Sequence, residues 1–264
     1  MKSVIVNAGP GAWGFEPLAN ALAAATGVPI SETPAEWNYV LGWPESMAGF
    51  PSGSFVPQQA ITLAADKRLL ARAFERGAVP SPETTLVDSA EEARRFLGAT
   101  DRYCLKYPTG VGAHGHRMLT EDALAALPSS WPRPLVVQAF IESVRPEVFR
   151  IYAVGGELLG FNVRRFPDDT LGGPWVSHAR GGRYESAGEA PEEARVAARA
   201  ALSATGLLSS FGCADLMRDA QGRWLVLEVG TDGVFNHVDR DVDDDAFLAT
   251  LHARIAEVFL AGPR

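Results

Sequence analysis

A lysine is costly in an apolar strand unless its ammonium meets an anion, and Lys106 sits late in the run Tyr-Cys-Leu-Lys-Tyr at 103–107. Pro-Thr-Gly-Val-Gly-Ala-His-Gly follows at 108–115, a glycine loop whose backbone N–H groups could approach phosphate oxygens. Strand lysine plus glycine loop suits a triphosphate, although no Gly-Lys-Ser/Thr is present and the Walker pattern is absent. The plainer alternative is an edge-strand lysine reaching solvent. Lys67, opening a helix after Asp66, is a second candidate for the same anion. Asp215 and Glu228 lie in the apolar settings Cys-Ala-Asp-Leu and Val-Leu-Glu-Val, on two late strands joined by a turn at 219–222. Carboxylates projecting from paired strands can share a hard cation such as Mg²⁺, which takes oxygen ligands and bridges nucleotide phosphates; otherwise each is a strand-end acid facing water. Arg150, Arg164, Arg165 and Arg180 add positive charge in the same half. Their planar forks suit carboxylate or phosphate, though each taken singly also fits an ordinary surface position.

Other patterns point elsewhere. Gly-Pro-Gly-Ala-Trp-Gly at 9–14 matches the dinucleotide fingerprint, with Glu32 placed to hold a ribose. A dinucleotide domain needs five or six strands, however, and the βαβ pattern gives out by Trp43. The same glycines serve a tight turn packing a helix on a strand. His114 and His116 have no third histidine or acid at zinc spacing and read as loop decoration. The acidic run at 239–245 reads as a solvated helix entry. Serine-nucleophile chemistry lacks a Gly-x-Ser-x-Gly elbow.

The elements that must position these residues alternate between periods two and 3.6. Strands are expected at 3–7, 28–31 and 39–43 around an apolar helix pattern (Leu18, Ala21, Leu22, Ala25), making a small α/β lobe. A Pro/Gly/Ser-rich hinge spans 47–57. One helical stripe over 63–75 ends at Gly77, before Pro80 and Pro82. Strands follow at 84–87, 103–107, 135–141, 148–154 and 158–163, with helices opening at Asp88-Ser-Ala-Glu and at Thr120. The stretch 171–186 reads as loop. Pro191 opens an alanine-rich helix ending before Gly206. Strands at 211–217 and 224–229 and a helix over 246–260 complete the chain. The strand-rich middle and end exclude a helical bundle.

Composition narrows the classes. Among 264 residues, 24 Lys and Arg against 32 Asp and Glu leave a net charge of −8. That balance, with no basic block, argues against broad nucleic-acid or anionic-membrane binding. No apolar run approaches the ~18 residues of a membrane span. The start turns polar too early for a signal peptide, and Cys104 and Cys213 cannot build a disulfide framework or a four-cysteine zinc site. A cytoplasmic protein is expected.

The order of these pieces resembles the ATP-grasp superfamily of carboxylate–amine ligases, closest to the branch of ribosomal-protein glutamate ligases and related peptide-modifying ligases, over about residues 60–236. Ala-Asp-Lys at 65–67 and Gly-Ala-Val-Pro-Ser-Pro-Glu-Thr at 77–84 look like the family's Asp-Lys helix and its ending. Lys106 is similar to its strand lysine. Gly110, Gly112, His114 and Gly115 sit where the phosphate-covering loop belongs. Gln138, Ala139, Phe140 and Ile141 look like the hinge strand lining adenine, partly through backbone groups. Glu147 falls near the ribose-holding acid, three residues before Arg150 where the family's spacing is two. Arg164 or Arg165 matches the basic residue after this strand pair, and Arg180-Gly-Gly resembles the branch's Arg-Gly-Gly loop, with Ser177 in place of the usual Asn. Asp215 and Glu228 resemble the metal end. The branch expects Glu-x-Asn there, whereas this chain has Glu228-Val-Gly230, so a second metal would need Asp232, Asn236 or water.

The resemblance implies an α/β (α+β) ATP-grasp fold: a short N-terminal α/β lobe (1–62), the Asp-Lys helix with a lid lobe (63–141), and a C-terminal catalytic lobe (142–264). It implies ATP and one or two Mg²⁺, with Mn²⁺ as a substitute, and ligation of a carboxylate to an amine through an acyl phosphate. Lys67 and Lys106 would hold phosphates, and Arg164, Arg165 or Arg180 would neutralise the acyl phosphate. The substrates would be small molecules or peptides, with no nucleic-acid or membrane partner; a homodimer is one open oligomeric option. A non-catalytic ATP-binding module, motivated by Gly230, and a small NAD(P)-dependent oxidoreductase, motivated by the glycines at 9–14, are the alternatives.

Overall fold

The computed structural model describes all residues except 9–14, 44–45, 99–101, 111, 144, 169–171, 232–243 and 264. The glycine fingerprint at 9–14 and the residues Asp232 and Asn236 therefore lie outside the described residues. Three sheets and seven α-helices form a mixed α/β fold among the described residues.

The first sheet is parallel, ordered β2-β1-β3, with β1 at Ser3–Asn7, β2 at Ile30–Ser31 and β3 at Trp37–Leu41. Helix α1 (Phe15–Thr26) buries Leu18, Ala19 and Leu22. The strands are shifted from the expected 28–31 and 39–43 for local reasons. Val28 N–H donates to Thr26 Oγ1 just after left-handed Gly27, so Val28 belongs to the helix terminus. Trp37 is drawn in at the other end, its Nε1 donating to Phe259 O at 2.8 Å, and left-handed Gly42 closes the strand before Trp43.

The expected single helix over 63–75 is two. Helix α2 (Gln58–Ala65) stops at Asp66, whose extended backbone (φ −121, ψ 111) restarts the chain as α3 (Lys67–Arg76). Asp66 caps α3 by accepting from Arg68 N–H at 2.8 Å. Lys67 consequently stands at the first helical position of α3.

The second sheet is antiparallel, ordered β4-β7-β5-β6: Thr84–Val87, Leu135–Ala139, Tyr103–Lys106 and Arg117–Met118. Its Val87, Tyr103, Leu105, Leu135 and Val137 face α4 (Ala90–Ala93) and α5 (Glu121–Ala125), packing with Ala93, Leu124 and Trp131 into a core of their own. The period of two sends Thr84, Lys106, Val136 and Gln138 to the other face.

The third sheet is antiparallel, ordered β10-β9-β8-β11-β12: Arg183–Ser186, Glu157–Arg165, Val148–Val154, Phe211–Arg218 and Trp224–Gly230. Helices α6 (Glu192–Ala204) and α7 (Asp245–Leu260) pack on it. The first sheet shares its core, since Ile5, Leu22, Tyr39 and Phe55 join Ile151, Leu202, Phe211 and Phe259 in one continuous cluster. Strand β10 was not expected within the loop-like stretch at 171–186. It is a polar edge strand, Arg-Tyr-Glu-Ser, with only Tyr184 buried. No helix among the described residues is long and apolar enough to cross a membrane.

Candidate functional site

Register brings the charged residues into line. Asn162 on β9 lies opposite Arg150 on β8, Arg150 opposite Asp215 on β11, and Asp215 opposite Glu228 on β12. Directly opposed residues share a face, so the four form a polar row across the five-stranded sheet. Arg164, two residues from Asn162, joins the same face.

Asp215 is 2% exposed. Its Oδ1 accepts from Arg150 Nε at 2.7 Å, and its Oδ2 from Arg150 Nη2 at 2.9 Å and Arg164 Nη2 at 3.3 Å. Tyr184 lies beneath both guanidiniums, 5.4 and 5.3 Å from ring centroid to Cζ, and its hydroxyl accepts from Arg164 Nη1 at 2.6 Å. Burial pulls the Arg150 pKa down, but the adjacent Asp215 charge outweighs it and keeps the guanidinium ionised.

The structure separates Arg164 from Arg165. Consecutive strand residues face opposite ways, and Arg165 points outward to pair with Glu147 Oε1 at 3.0 Å and with Glu185. Arg165 and Glu147 therefore hold each other, apart from the buried row.

The lysines close over Glu228. Lys67 is 9% exposed and Lys106 7%. Lys67 Nζ is 3.9 Å from Glu228 Oε2 and donates to Gly110 O at 2.6 Å, while its backbone N–H donates to Pro108 O at 2.9 Å. Burial lowers the Lys67 pKa and the neighbouring Lys106 charge lowers it further, against the pull of Glu228 and Asp66. Burial raises the Glu228 pKa, but Lys67, Lys106, Arg164 and Arg150 together hold it below its ordinary value. No carboxylate among the described residues lies within ion-pair distance of Lys106.

The glycine loop docks on the 172–182 segment. A Cβ on Gly110 would come within 2.7 Å of His114 O, so the loop's tight path excludes a side chain there. Gly112 faces Ala179, and Arg180, on the 3-10 turn His178–Arg180, reaches from Nη2 to Ala113 O at 3.3 Å. His114 is exposed. The ring that faces the lysines is His116, which the sequence reading set aside as decoration. Tyr107 N–H donates to its Nδ1 at 3.4 Å, which places the ring hydrogen on Nε2. Burial and the charges of Lys106, Lys67 and Arg180 push its pKa down to about 2, so the ring is neutral.

A cavity of about 200 Å³ lies beside these groups, lined by Lys67, Phe74, Thr84, Lys106, Gln138 and Leu227 among others. Gln138 Nε2 donates to Thr84 Oγ1 at 2.8 Å, and that hydroxyl donates to Pro82 O at 2.8 Å, an order that fixes the amide's orientation. Along the hinge, Ala139 and Phe140 N–H groups donate to Glu83 O and Arg102 O, both at 2.8 Å. Ile141 borders an apolar cluster of Val148, Phe166, Val176 and Met217 next to the polar row.

Four buried cations (Lys67, Lys106, Arg150, Arg164) thus face buried Asp215 and the half-exposed Glu228, a sum of 4 − 2 = +2 for these six residues, with Glu75 and Glu83 also lining the cavity. Buried charge of one sign calls for counter-charge, so the site suits a polyanion. The donor set fits Mg²⁺ in a restricted way. No cluster of three or more His, Cys, Asp or Glu capable of holding a metal occurs among the described residues. Among the described residues Glu228 is the cleft carboxylate beside Lys67, and one such ligand suits an ion held mainly by substrate phosphates and water. Gly230, opposite Cys213, contributes no side-chain oxygen.

No curated protein sequence matches the chain. Solved structures match it over almost its whole length. The ATP-grasp ligase PsnB complexed with minimal precursor is 15% identical with TM-score 0.68, covering 99% of each chain. D-alanine–D-alanine ligase from Bacillus anthracis complexed with ATP is 14% identical with TM-score 0.70, covering 98% of this chain and 96% of that one. The D-cycloserine synthetase DcsG is 19% identical with TM-score 0.68, covering 98% of each. A family model described as ATP-grasp domain matches residues 64–231, more than half of the chain, and with it the lysines, the glycine loop and the polar row: this chain belongs to the ATP-grasp family.

Proposed function

We propose that the chain is an ATP-dependent ligase that activates a carboxylate as an acyl phosphate and passes the acyl group to an amine. The observation that carries this reading is the set of four buried cations, Lys67, Lys106, Arg150 and Arg164, gathered near the glycine loop against one buried carboxylate, Asp215. The chain's ATP-grasp membership and its likeness to the three ligases support it. The site residues proposed are Lys67, Lys106 and the loop of Gly110, Gly112, His114 and Gly115 for the phosphates. The hinge from Gln138 to Ile141 is proposed to line the base, and Glu147, now paired with Arg165, is the acid proposed for the ribose.

In this reading a carboxylate oxygen attacks the terminal phosphorus of ATP. A C–O–P bond forms, the bridging P–O bond breaks and ADP leaves. The amine then attacks the acyl carbon; the C–N bond forms, phosphate leaves with the C–O electron pair, and the amine proton passes to solvent. Lys67 and Lys106 neutralise the phosphates, and Arg164, with Arg180 at the loop, stabilises charge on the transferring group. Mg²⁺, with Mn²⁺ as a substitute, would be met by Glu228 and would lower the charge repulsion among phosphate oxygens. The glycine loop and the 172–182 segment exclude water that would hydrolyse the acyl phosphate. The substrates proposed are small-molecule or peptide carboxylates and amines.

Calorimetric titration of Mg·ATP, with NADH and NADPH as controls, tests the site. Saturable ATP binding that is lost in Lys106→Ala is expected, followed by ADP release when carboxylate and amine pools are supplied together. Absence of ATP binding with clear NAD(P)H binding would overturn the reading. A second reading, ATP binding without ligation, draws on Gly230; it expects the same titration but no ADP release with any acceptor pair. The dinucleotide reading gains nothing from the first sheet, which has three strands among the described residues.

A further inference from the structure

A second cavity, of about 390 Å³, lies between the Pro/Gly/Ser-rich segment that precedes α2, the turn before β11 and the end of α7. It is larger than the cavity at the nucleotide cleft and falls within the ~300–1,000 Å³ of small-molecule sites. It is also remote from the polar row. Ser210 lines it and immediately precedes β11, and Asp215 stands about 16 Å further along that strand.

Buried bonds fix its walls. Asn38 is 0% exposed, and its Nδ2 donates to Gly53 O at 2.7 Å. The Asn38 N–H donates to the same oxygen at 2.9 Å, and Phe55 N–H donates to Asn38 O at 2.8 Å. A Cβ on Gly53 would lie 2.1 Å from Glu36 O, so only glycine lets the segment seat this closely. On the other side Trp37 is tied to Phe259 O, and Ser210 O accepts from Gly155 N–H at 2.9 Å. Walls held in this way keep their shape without a ligand, which lowers the cost of binding one.

The lining is uncharged. Trp37, Phe55 and Val258 supply apolar surface, and no Asp, Glu, Lys, Arg or His lines the cavity among the described residues. Ser52, Gln58 and Ser209 make no side-chain hydrogen bond among the described residues, and each both donates and accepts. The first turn of α2 opens beside the cavity at Pro57, which gives no side-chain cap. That helix end favours negative charge by far less than an ion loses on leaving water. The lining therefore selects a neutral ligand, and an amide, itself donor and acceptor, complements hydroxyls and a glutamine.

We propose that this cavity binds a small uncharged amide with an apolar body, and that α2 transmits its occupancy to the nucleotide cleft. Gln58 at one end of α2 lines the cavity, while Asp66 at the other caps α3 and sets the position of Lys67. The helix is about 12 Å long, so a ligand on its first turn and a nucleotide beside Lys67 act on one rigid element. The binding stands without the ATP reading; the coupling rests on it.

Benzamide, benzoate and benzylamine share a shape and are neutral, anionic and cationic at pH 7, so they test the selection by charge. Calorimetry, with the Trp37 indole resonance as a local probe, should show saturable benzamide binding with a Kd of about 1 mM. Benzoate and benzylamine should bind at least about fivefold more weakly. Ser52→Phe and Ser209→Phe, at exposed positions, should each fill the cavity and abolish benzamide binding while leaving the Mg·ATP Kd within about twofold of wild type. Saturating benzamide should tighten Mg·ATP about fivefold in wild type and not in Ser209→Phe, and Mg·ATP should tighten benzamide by the same factor. No benzamide binding, a preference for either charged probe, or binding that survives both phenylalanine variants would overturn the site. An unchanged or weaker Mg·ATP Kd would overturn the coupling. Wild type that binds benzamide but no nucleotide would overturn the ATP reading, and the coupling with it, while supporting the site.

Discussion

Lys67 Nζ donates to Gly110 O at 2.6 Å, so the first residue of α3 holds the glycine loop that follows β5. The bond joins two segments 43 residues apart, and the Lys67 backbone N–H repeats the join at Pro108 O. One ammonium therefore anchors the loop and stands 3.9 Å from Glu228. Lys67→Met should weaken Mg·ATP binding at least about tenfold, through loss of a charge-assisted contact and of the anchored loop. It should also increase proteolytic cutting at 108–116. Calorimetry and limited proteolysis measure the two effects, and an unchanged cutting pattern would show that the loop does not depend on the lysine.

The same lysine gives a sign to the pH dependence of stability. Burial and Lys106 lower its pKa from 10.5, so above the folded value the unfolded chain holds more protons than the folded one. The Lys67 contribution to stability should therefore rise with pH up to about 10.5. Urea unfolding of wild type and Lys67→Met at pH 7, 8, 9 and 10 isolates it: the difference between the proteins should shift toward wild type as pH increases.

Asp66 decides where that lysine stands. Its carboxylate caps α3 through Arg68 N–H and also binds the Arg68 guanidinium. Asp66→Ala should cost about 1 kcal/mol from the lost cap and let α2 and α3 run together, turning Lys67 out of the cleft. The expected signature is a modest fall in Tm with a disproportionate loss of ATP affinity. Equal small losses in both would mean the helix break survives without its cap.

The residues that sequence made legible are those in the wrong surroundings for their type. Lys106 in an apolar strand and Asp215 and Glu228 among aliphatic neighbours stood out because burial of charge is rare, and the structure brings them with Lys67 to one cleft. Alternation alone says that Arg164 and Arg165 part company, but not which one turns inward. That depends on a register interrupted by a bulge between Arg150 and Tyr152. Arg150 reads as one arginine among many until Asp215 is seen across the sheet. The break at Asp66 was hidden because α2 and α3 share one apolar stripe. His116 was hidden because its chemistry comes from Lys67, Lys106 and Arg180, none of them adjacent in sequence.

His116 should be silent to titration across the physiological range. Its pKa of about 2 against an ordinary 6.5 means the unfolded ring takes a proton that the folded one refuses. Stability should fall as pH drops below 6.5, by about 1 kcal/mol per pH unit from this ring. His116→Gln, which cannot protonate, should flatten the loss between pH 6.5 and 5 in urea unfolding. Ring resonances of His116 in NMR should not move between pH 8 and 5; a midpoint inside that range would contradict the described packing.

Trp175 meets His116 edge-on at 5.6 Å and Phe140 edge-on at 5.2 Å, so one indole spans from the glycine loop to the hinge. Any base and triphosphate lying between hinge and loop must change its surroundings. The chain has six tryptophans, and a difference measurement isolates this one. Wild type should show a saturable change in tryptophan emission on adding Mg·ATP, with a midpoint equal to the calorimetric Kd, and Trp175→Phe should lose most of that change while still binding. Trp175→Ala removes the bridge altogether and should speed nucleotide dissociation, because the two docked segments then separate more readily; stopped-flow displacement of a fluorescent ATP analogue measures it. Persistence of the full emission change in Trp175→Phe would place the nucleotide away from this bridge, and an unaltered off-rate in Trp175→Ala would mean that Arg180 and Ala113 hold the segments without it.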